Sequence, residues 1–183
     1  MMNDELYYCF LSCCFKEKKR PDDRIVEVHQ DVLTINPKLR SEICQKMAGL
    51  IYVLDGNNIS LASYANQDMS LGVIVSHILN LPFLYLRNSP KKYGLKNQIE
   101  GQLTSNQNIV FFTLFSPTPE LYDKTKAVFT QKNSEIIQWV SLIGNELYYE
   151  HYKTIHVFLY SQQEIYTDLM GRTRNRDSNL DIC

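Results

Sequence analysis

Glycine is scarce in this chain. It supplies seven of 183 residues, against a usual share of about 7%, and no two lie close enough to build the glycine-rich turn whose amides cradle a phosphate. An excess of charge is missing too. Nineteen lysines and arginines stand against 20 aspartates and glutamates, the net charge is −1 and the pI is about 6.4. Such a balance recruits neither nucleic acid nor an anionic membrane surface. The longest apolar runs are strand-length, too short for a spanning helix. Asp4 and Glu5 stand where a secretory leader would carry basic residues, so the expected location is cytoplasmic.

The five cysteines (Cys9, Cys13, Cys14, Cys44 and Cys183) are odd in number and include an adjacent pair, which suits reduced thiols better than a disulfide framework. Three of them fall on one expected helix with no partnering Cys/His spacing elsewhere, so they read as core packing and no metal site is expected. Cys183 is the last residue rather than fourth from the end, so no prenylation box is expected.

With 44% apolar and 21% charged residues, the chain has material for one buried core. Residues 1–171 are expected to form a single domain, and the polar stretch 172–183 a disordered tail. From Asp4 to about Lys16, Leu6, Cys9, Phe10 and Cys13 mark one helical face. A charged loop from Lys16 to Arg24 follows, then a strand or hairpin marked by Ile25, Val26, Val28, Val32, Leu33 and Ile35. Asn36-Pro37 opens a helix with Leu39, Ile43, Met47 and Leu50 on one side. A strand at Ile59–Tyr64, a helix around Leu71–Leu79 and a strand at Leu81–Arg87 make a β-α-β unit, which implies parallel strands.

Ile109–Phe115 is too continuously apolar for a strand with a wet face. Thr118-Pro119-Glu120 starts a further helix, followed by a strand at Ile136–Ile143, a short helical piece at Tyr148–Tyr152 and a strand at Ile155–Tyr160. Ser161-Gln162-Gln163-Glu164 reads as a capping box opening a helix that Gly171 would end. The fold class is therefore α/β, a central parallel sheet flanked by helices.

One segment carries a more specific signal. Leu79-Asn80-Leu81-Pro82-Phe83-Leu84-Tyr85-Leu86-Arg87-Asn88-Ser89-Pro90-Lys91-Lys92-Tyr93-Gly94, followed by Ile99-Glu100-Gly101, resembles the mid-chain signature of orotate phosphoribosyltransferases. There a strand of type L-N-(I/L)-P-F-x-Y-x-R runs into a mobile loop K-x-x-K-x-(H/Y)-G and closes on I-E-G. The helix at Asn36-Pro37-Lys38-Leu39-Arg40 also resembles the family's. The resemblance implies a type I phosphoribosyltransferase fold with a small N-terminal hood, assembled as a dimer in which the mobile loop reaches the neighbouring subunit. On that template Arg87, Lys91 and Tyr93 would contact the diphosphate, Lys91 as the catalytic cation serving the departing group. Asn88 stands where the family has a lysine.

The same resemblance exposes a gap. Ribosyl transfer needs an anchored 5′-phosphate, held ribose hydroxyls and a screened diphosphate. The family meets this with an acidic pair and a small Thr/Gly-rich loop at a helix N-terminus. Here the equivalent strand runs into Thr113-Leu114-Phe115-Ser116-Pro117-Thr118-Pro119-Glu120, with no acidic pair, no glycine and two prolines that offer no amide. Thr113, Leu114, Ser116 and Thr118 thus mark a degenerate phosphate loop. After the Ile59–Tyr64 strand, Ala65-Asn66-Gln67-Asp68-Met69 replaces the family's small residues and glycine, and Asp68 sets a negative charge beside a would-be polyanion.

The chain is therefore expected to be an orotate phosphoribosyltransferase-like protein without catalysis, acting as a binding or assembly subunit. It would form a homodimer, or a heterodimer with a related transferase to which it would lend Arg87, Lys91 and Tyr93. The alternative is an active enzyme making orotidine monophosphate from orotate and phosphoribosyl diphosphate in pyrimidine biosynthesis, with magnesium as cofactor. A third reading reuses the fold for another phosphorylated sugar or nucleotide. Against these, His151 and His156 do not share a face and read as no metal pair. Asp22, Asp23 and Asp55 read as solvated turn residues, and Arg172, Arg174 and Arg176 as a solvated tail. The tyrosines Tyr7, Tyr8, Tyr148, Tyr149 and Tyr152 read as core and dimer packing.

Overall fold

The computed structural model describes residues 5–19, 24–28, 36–52, 58–66, 68–87, 97–152 and 155–175. In chain order the elements are α1 (Glu5–Cys14), β1 (Phe15–Lys19), β2 (Arg24–Val28), α2 (Pro37–Gly49), β3 (Ile59–Tyr64), α3 (Asp68–Ile78), β4 (Phe83–Leu86), β5 (Ile99–Glu100), β6 (Asn108–Phe115), α4 (Pro119–Thr130), β7 (Glu135–Gly144), a 3₁₀ turn (Glu146–His151), β8 (Ile155–Ser161) and α5 (Gln162–Asn175). The described helices include none long and apolar enough to cross a membrane.

Six strands form one sheet in the order β5-β4-β3-β6-β7-β8. Five run parallel, and β5 pairs antiparallel with the edge of β4 through Tyr85↔Glu100. Strand β6 explains the architecture. Its residues Ile109 to Leu114 are all buried, and they alternate between two cores. Val110 and Phe112 pack with α1, α2, α3 and α5 on one face, while Ile109 and Phe111 pack with α4 and Tyr152 on the other. A strand covered on both sides needs no polar period, hence its unbroken apolar run. The helices fall on opposite faces because β3 crosses through α3 to β4 in one direction and β6 crosses through α4 to β7 in the other, each right-handed crossover choosing its face.

Helix starts follow their caps. Asn36 Oδ1 accepts from the Leu39 amide at 3.0 Å, and Thr118 Oγ1 accepts from the Leu121 amide at 3.3 Å. Each cap precedes a proline that donates nothing.

Several expectations need correcting. Lys16–Lys19 is not a loop but strand β1, paired with β2 from Phe15↔Val28 to Lys19↔Arg24, because a hairpin partner supplies the ladder bonds that composition cannot reveal. Helix α1 turns a slightly different face inward: Leu6, Tyr7, Phe10 and Leu11 are buried while Cys9 is exposed. Helix α5 passes Gly171 and continues to Asn175. Residues 176–183 lie outside the described residues.

Candidate functional site

The connections from β3 and β6 run in opposite directions, which puts the crevice where open α/β sheets take their ligands outside the carboxyl ends of these two strands. Its walls are the turn after β3 and the segment after β6. In the first, Ala65 N donates to Leu86 O at 2.8 Å and Met69 N to Asn66 O at 3.2 Å, while Asn66 Oδ1 accepts from Asp68 N at 2.9 Å. Asp68 then turns inward. It is 8% exposed, and its Oδ1 accepts from the Leu114 amide on β6 at 2.9 Å. Burial pushes the Asp68 carboxyl above its usual range, against the opposing pull of the Leu114 amide and Asn66.

In the second wall, the polar groups of the expected phosphate loop are bonded within the protein. Thr113 Oγ1 accepts from Trp139 Nε1 at 2.9 Å and lies 3.1 Å from Ser141 Oγ. Leu114 N is taken by Asp68. Ser116 N donates to Ile143 O at 2.9 Å, and Ser116 Oγ accepts from Asn145 N at 3.0 Å. Tyr152 donates its hydroxyl to Pro117 O, and Thr118 Oγ1 serves as the cap of α4. Beneath them His156 Nε2 lies 3.0 Å from Ser141 Oγ and 3.4 Å from Ser116 Oγ. Burial lowers the His156 pKa to about 4, so the imidazole is neutral at pH 7. Tyr152 is pushed up to about 12, first by burial and then by Tyr148 and Tyr122.

The third expected component is partly visible. Arg87 closes β4, its Nε 3.0 Å from Glu100 Oε1 and its guanidinium 5.6 Å from the centre of the Tyr85 ring. Its backbone is clamped by Gln98: Arg87 N donates to Gln98 O at 2.9 Å, and Gln98 Nε2 donates to Arg87 O at 3.1 Å. This two-ended clamp fixes the base of the expected mobile loop. Asn88, Lys91, Lys92 and Tyr93 lie outside the described residues, as do Asp22, Asp23, Asp55 and Arg176. Beside Arg87 runs a cleft of about 360 Å³ against α4, lined among others by Tyr64, Asn66, Gln98, Lys124 and Thr125. Of its two lining cations, Arg87 is already paired with Glu100 and Lys124 comes from α4.

Sequence reasoning located both walls but missed what ties them together. Asp68 was legible as a charge beside the site, not as a side chain spanning it, since no periodicity reports on which way a residue in a turn points. The Thr113–Ser141–His156 chain had no sequence signal either, its members coming from three strands. His151 is elsewhere, exposed and 3.0 Å from Asp123 Oδ2. Among the described residues no group of three or more His, Cys, Asp or Glu side chains could hold a metal.

No family model matches the chain. In sequence it is similar to the orotate phosphoribosyltransferase of Porphyromonas gingivalis, 38% identical over 74 residues, which is 40% of this chain and 35% of that protein. The enzyme of that name from Malacoplasma penetrans is 39% identical over 79 residues, 43% of this chain and 38% of its own. That of Lactococcus lactis subsp. lactis is 29% identical over 111 residues, 61% and 53% of the two chains. The chain thus spans about a third to a half of the length of the curated relatives it matches.

In structure it is similar to the orotate phosphoribosyltransferase of Aeropyrum pernix, with a TM-score of 0.67 and 14% identity over 90% of this chain and 97% of that one. It is similar also to the UMP synthase of Leishmania donovani, with a TM-score of 0.70 and 13% identity over 92% of this chain and 38% of that one. Sequence and architecture converge: the chain has the type I phosphoribosyltransferase fold and is a sequence relative of the orotate phosphoribosyltransferases.

Proposed function

We propose that this protein is an orotate phosphoribosyltransferase-like subunit without catalysis of its own, one that binds or assembles in pyrimidine biosynthesis as a homodimer or with a competent transferase. The observation that carries this reading is the internal use of the strand end. From Thr113 to Thr118 the hydroxyls and the amides of Leu114 and Ser116 bond to Trp139, Asp68, Ile143, Asn145 and Leu121, and Pro117 and Pro119 contribute no donors. An anchor for a ribose phosphate must present free, preorganised donors to the ligand; the Leu114 and Ser116 amides would each have to break an internal bond to do so.

Magnesium fits this strand end poorly. Thr113 and Leu114 stand where the relatives' pattern has carboxylates, and the nearby Asp68 is committed to the Leu114 amide. What remains of the pattern is the set that would act across a dimer, with Arg87 held at the mouth of the cleft and Lys91 and Tyr93 following it in sequence. That asymmetry favours a subunit that lends its loop to a partner.

Steady-state formation of orotidine monophosphate from orotate, phosphoribosyl diphosphate and magnesium tests the reading, with turnover no greater than the protein-free blank expected. Turnover abolished by Lys91→Ala would instead establish an active transferase. Mixing with an active transferase subunit crippled at its own loop lysine tests the lending role, and restored activity is its expected sign.

A further inference from the structure

We infer that Asp68 is an intramolecular anion that excludes phosphorylated ligands from the crevice between β3 and β6. The inference deepens the reading of this crevice as a lost phosphate site and rests on it. Three observations meet at this residue. Its carboxylate spans the crevice from the β3 side and takes the Leu114 amide on β6 at 2.9 Å, so the donor that survives at the start of the degenerate loop is already filled by an oxyanion of the chain itself. Asp68 also opens the 11-residue helix α3, where the helix dipole attracts negative charge; the carboxylate occupies that position as well. Its charge is not neutralised from nearby, because its bonding partners are the Leu114 amide and Asn66 and no ion pair among the described residues involves it.

A phosphate entering here would meet a like charge with no intervening cation and would find its donors occupied. Specificity built this way acts by rejection: the unpaired like charge costs the wrong ligand more than a merely absent contact would. Asp68 is therefore a specificity-determining residue, and a single substitution should reopen the crevice to oxyanions.

Calorimetric titration of the full chain with inorganic diphosphate, with and without magnesium, reads this directly. The wild-type protein should show no saturable binding at millimolar ligand. Asp68→Gly removes both the charge and the bond to Leu114, and should bind diphosphate at least about tenfold more tightly. Asp68→Asn keeps an acceptor oxygen for Leu114 while removing the charge, and should show a smaller gain. Thermal melting confirms that each variant is folded; if the glycine variant does not fold, the isosteric asparagine variant decides.

Wild-type binding as tight as either folded variant overturns the inference, and so does a folded Asp68→Asn with no gain. The proposed loss of catalysis stands or falls separately, on orotidine monophosphate formation by the wild-type chain. An active wild type leaves the Asp68 result readable, and an unresponsive Asp68 leaves the activity result readable.

Discussion

At the scale of single residues, two buried groups of the site, His156 and Asp68, pull stability in opposite directions as pH falls below neutrality. His156 has its pKa lowered from 6.5 to about 4 by burial, so above pH 6.5 both folded and unfolded chains hold it neutral and it has no effect. Below that, the unfolded chain takes up a proton that the folded chain refuses. Stability therefore falls between pH 6.5 and about 4, by roughly 3 kcal/mol if the whole shift is realised. Asp68 acts the other way, because a carboxyl whose pKa is raised in the fold binds its proton earlier when folded and gains stability as pH falls. Urea midpoints measured from about pH 7 to about pH 4 should decline for the wild type. Asp68→Asn should decline more steeply, having lost the opposing group, and His156→Asn should flatten over the same window. A wild-type midpoint that rose towards acid would show that the Asp68 contribution dominates. Neither effect was legible in the sequence, where His156 differs from any other histidine only by standing in an apolar strand.

At the scale of elements, legibility tracked how local each cause is. Helix α2 was readable because its start is written in adjacent residues: Asn36 supplies the capping oxygen and Pro37 occupies a position that needs no donor. Asn36→Ala should lower stability by about 1 kcal/mol, read as a shift in the urea midpoint at unchanged slope. Strand β6 was readable because burial on both faces leaves an apolar run. Strands β1 and β5 were not, since a charged five-residue strand and a two-residue edge exist only through their partners. The end of β7 shows another non-local cause. Gly144 pairs with Ser161 on β8, and a Cβ built there would fall 1.8 Å from Cδ1 of the Phe158 ring. The ring lies on the backbone itself, so Gly144→Ala must displace it and should cost about 1–3 kcal/mol. The variant of the neighbouring face, Phe158→Ala combined with Gly144→Ala, should recover the steric part of that loss, which a double-mutant cycle measures.

At the scale of the molecule, one sheet carries two cores that communicate through β6. Phe111 on one face packs 4.5 Å from the Trp139 ring and 4.9 Å from Tyr64 between ring centres, and Phe112, its neighbour in the strand, belongs to the opposite core with Val75 and Ile43. Neither core can come apart without exposing the strand that closes the other. The sequence foretold the doubly covered sheet from the alternation of strands and helices and from the apolar β6 run; it could not foretell that both faces would be closed by aromatic rings contributed from distant segments. Cooperative unfolding follows from this shared strand. Trp139 is the chain's single tryptophan and is wholly buried, so its emission reports one core, while far-UV circular dichroism reports the helices on both. The two denaturation curves should coincide in the wild type. Phe111→Ala should lower the midpoint of both by the same amount, corresponding to about 3–5 kcal/mol for an aromatic side chain removed from a packed interior. Curves that separate in the variant, with fluorescence lost before helix signal, would show that the faces unfold independently and that β6 does not couple them.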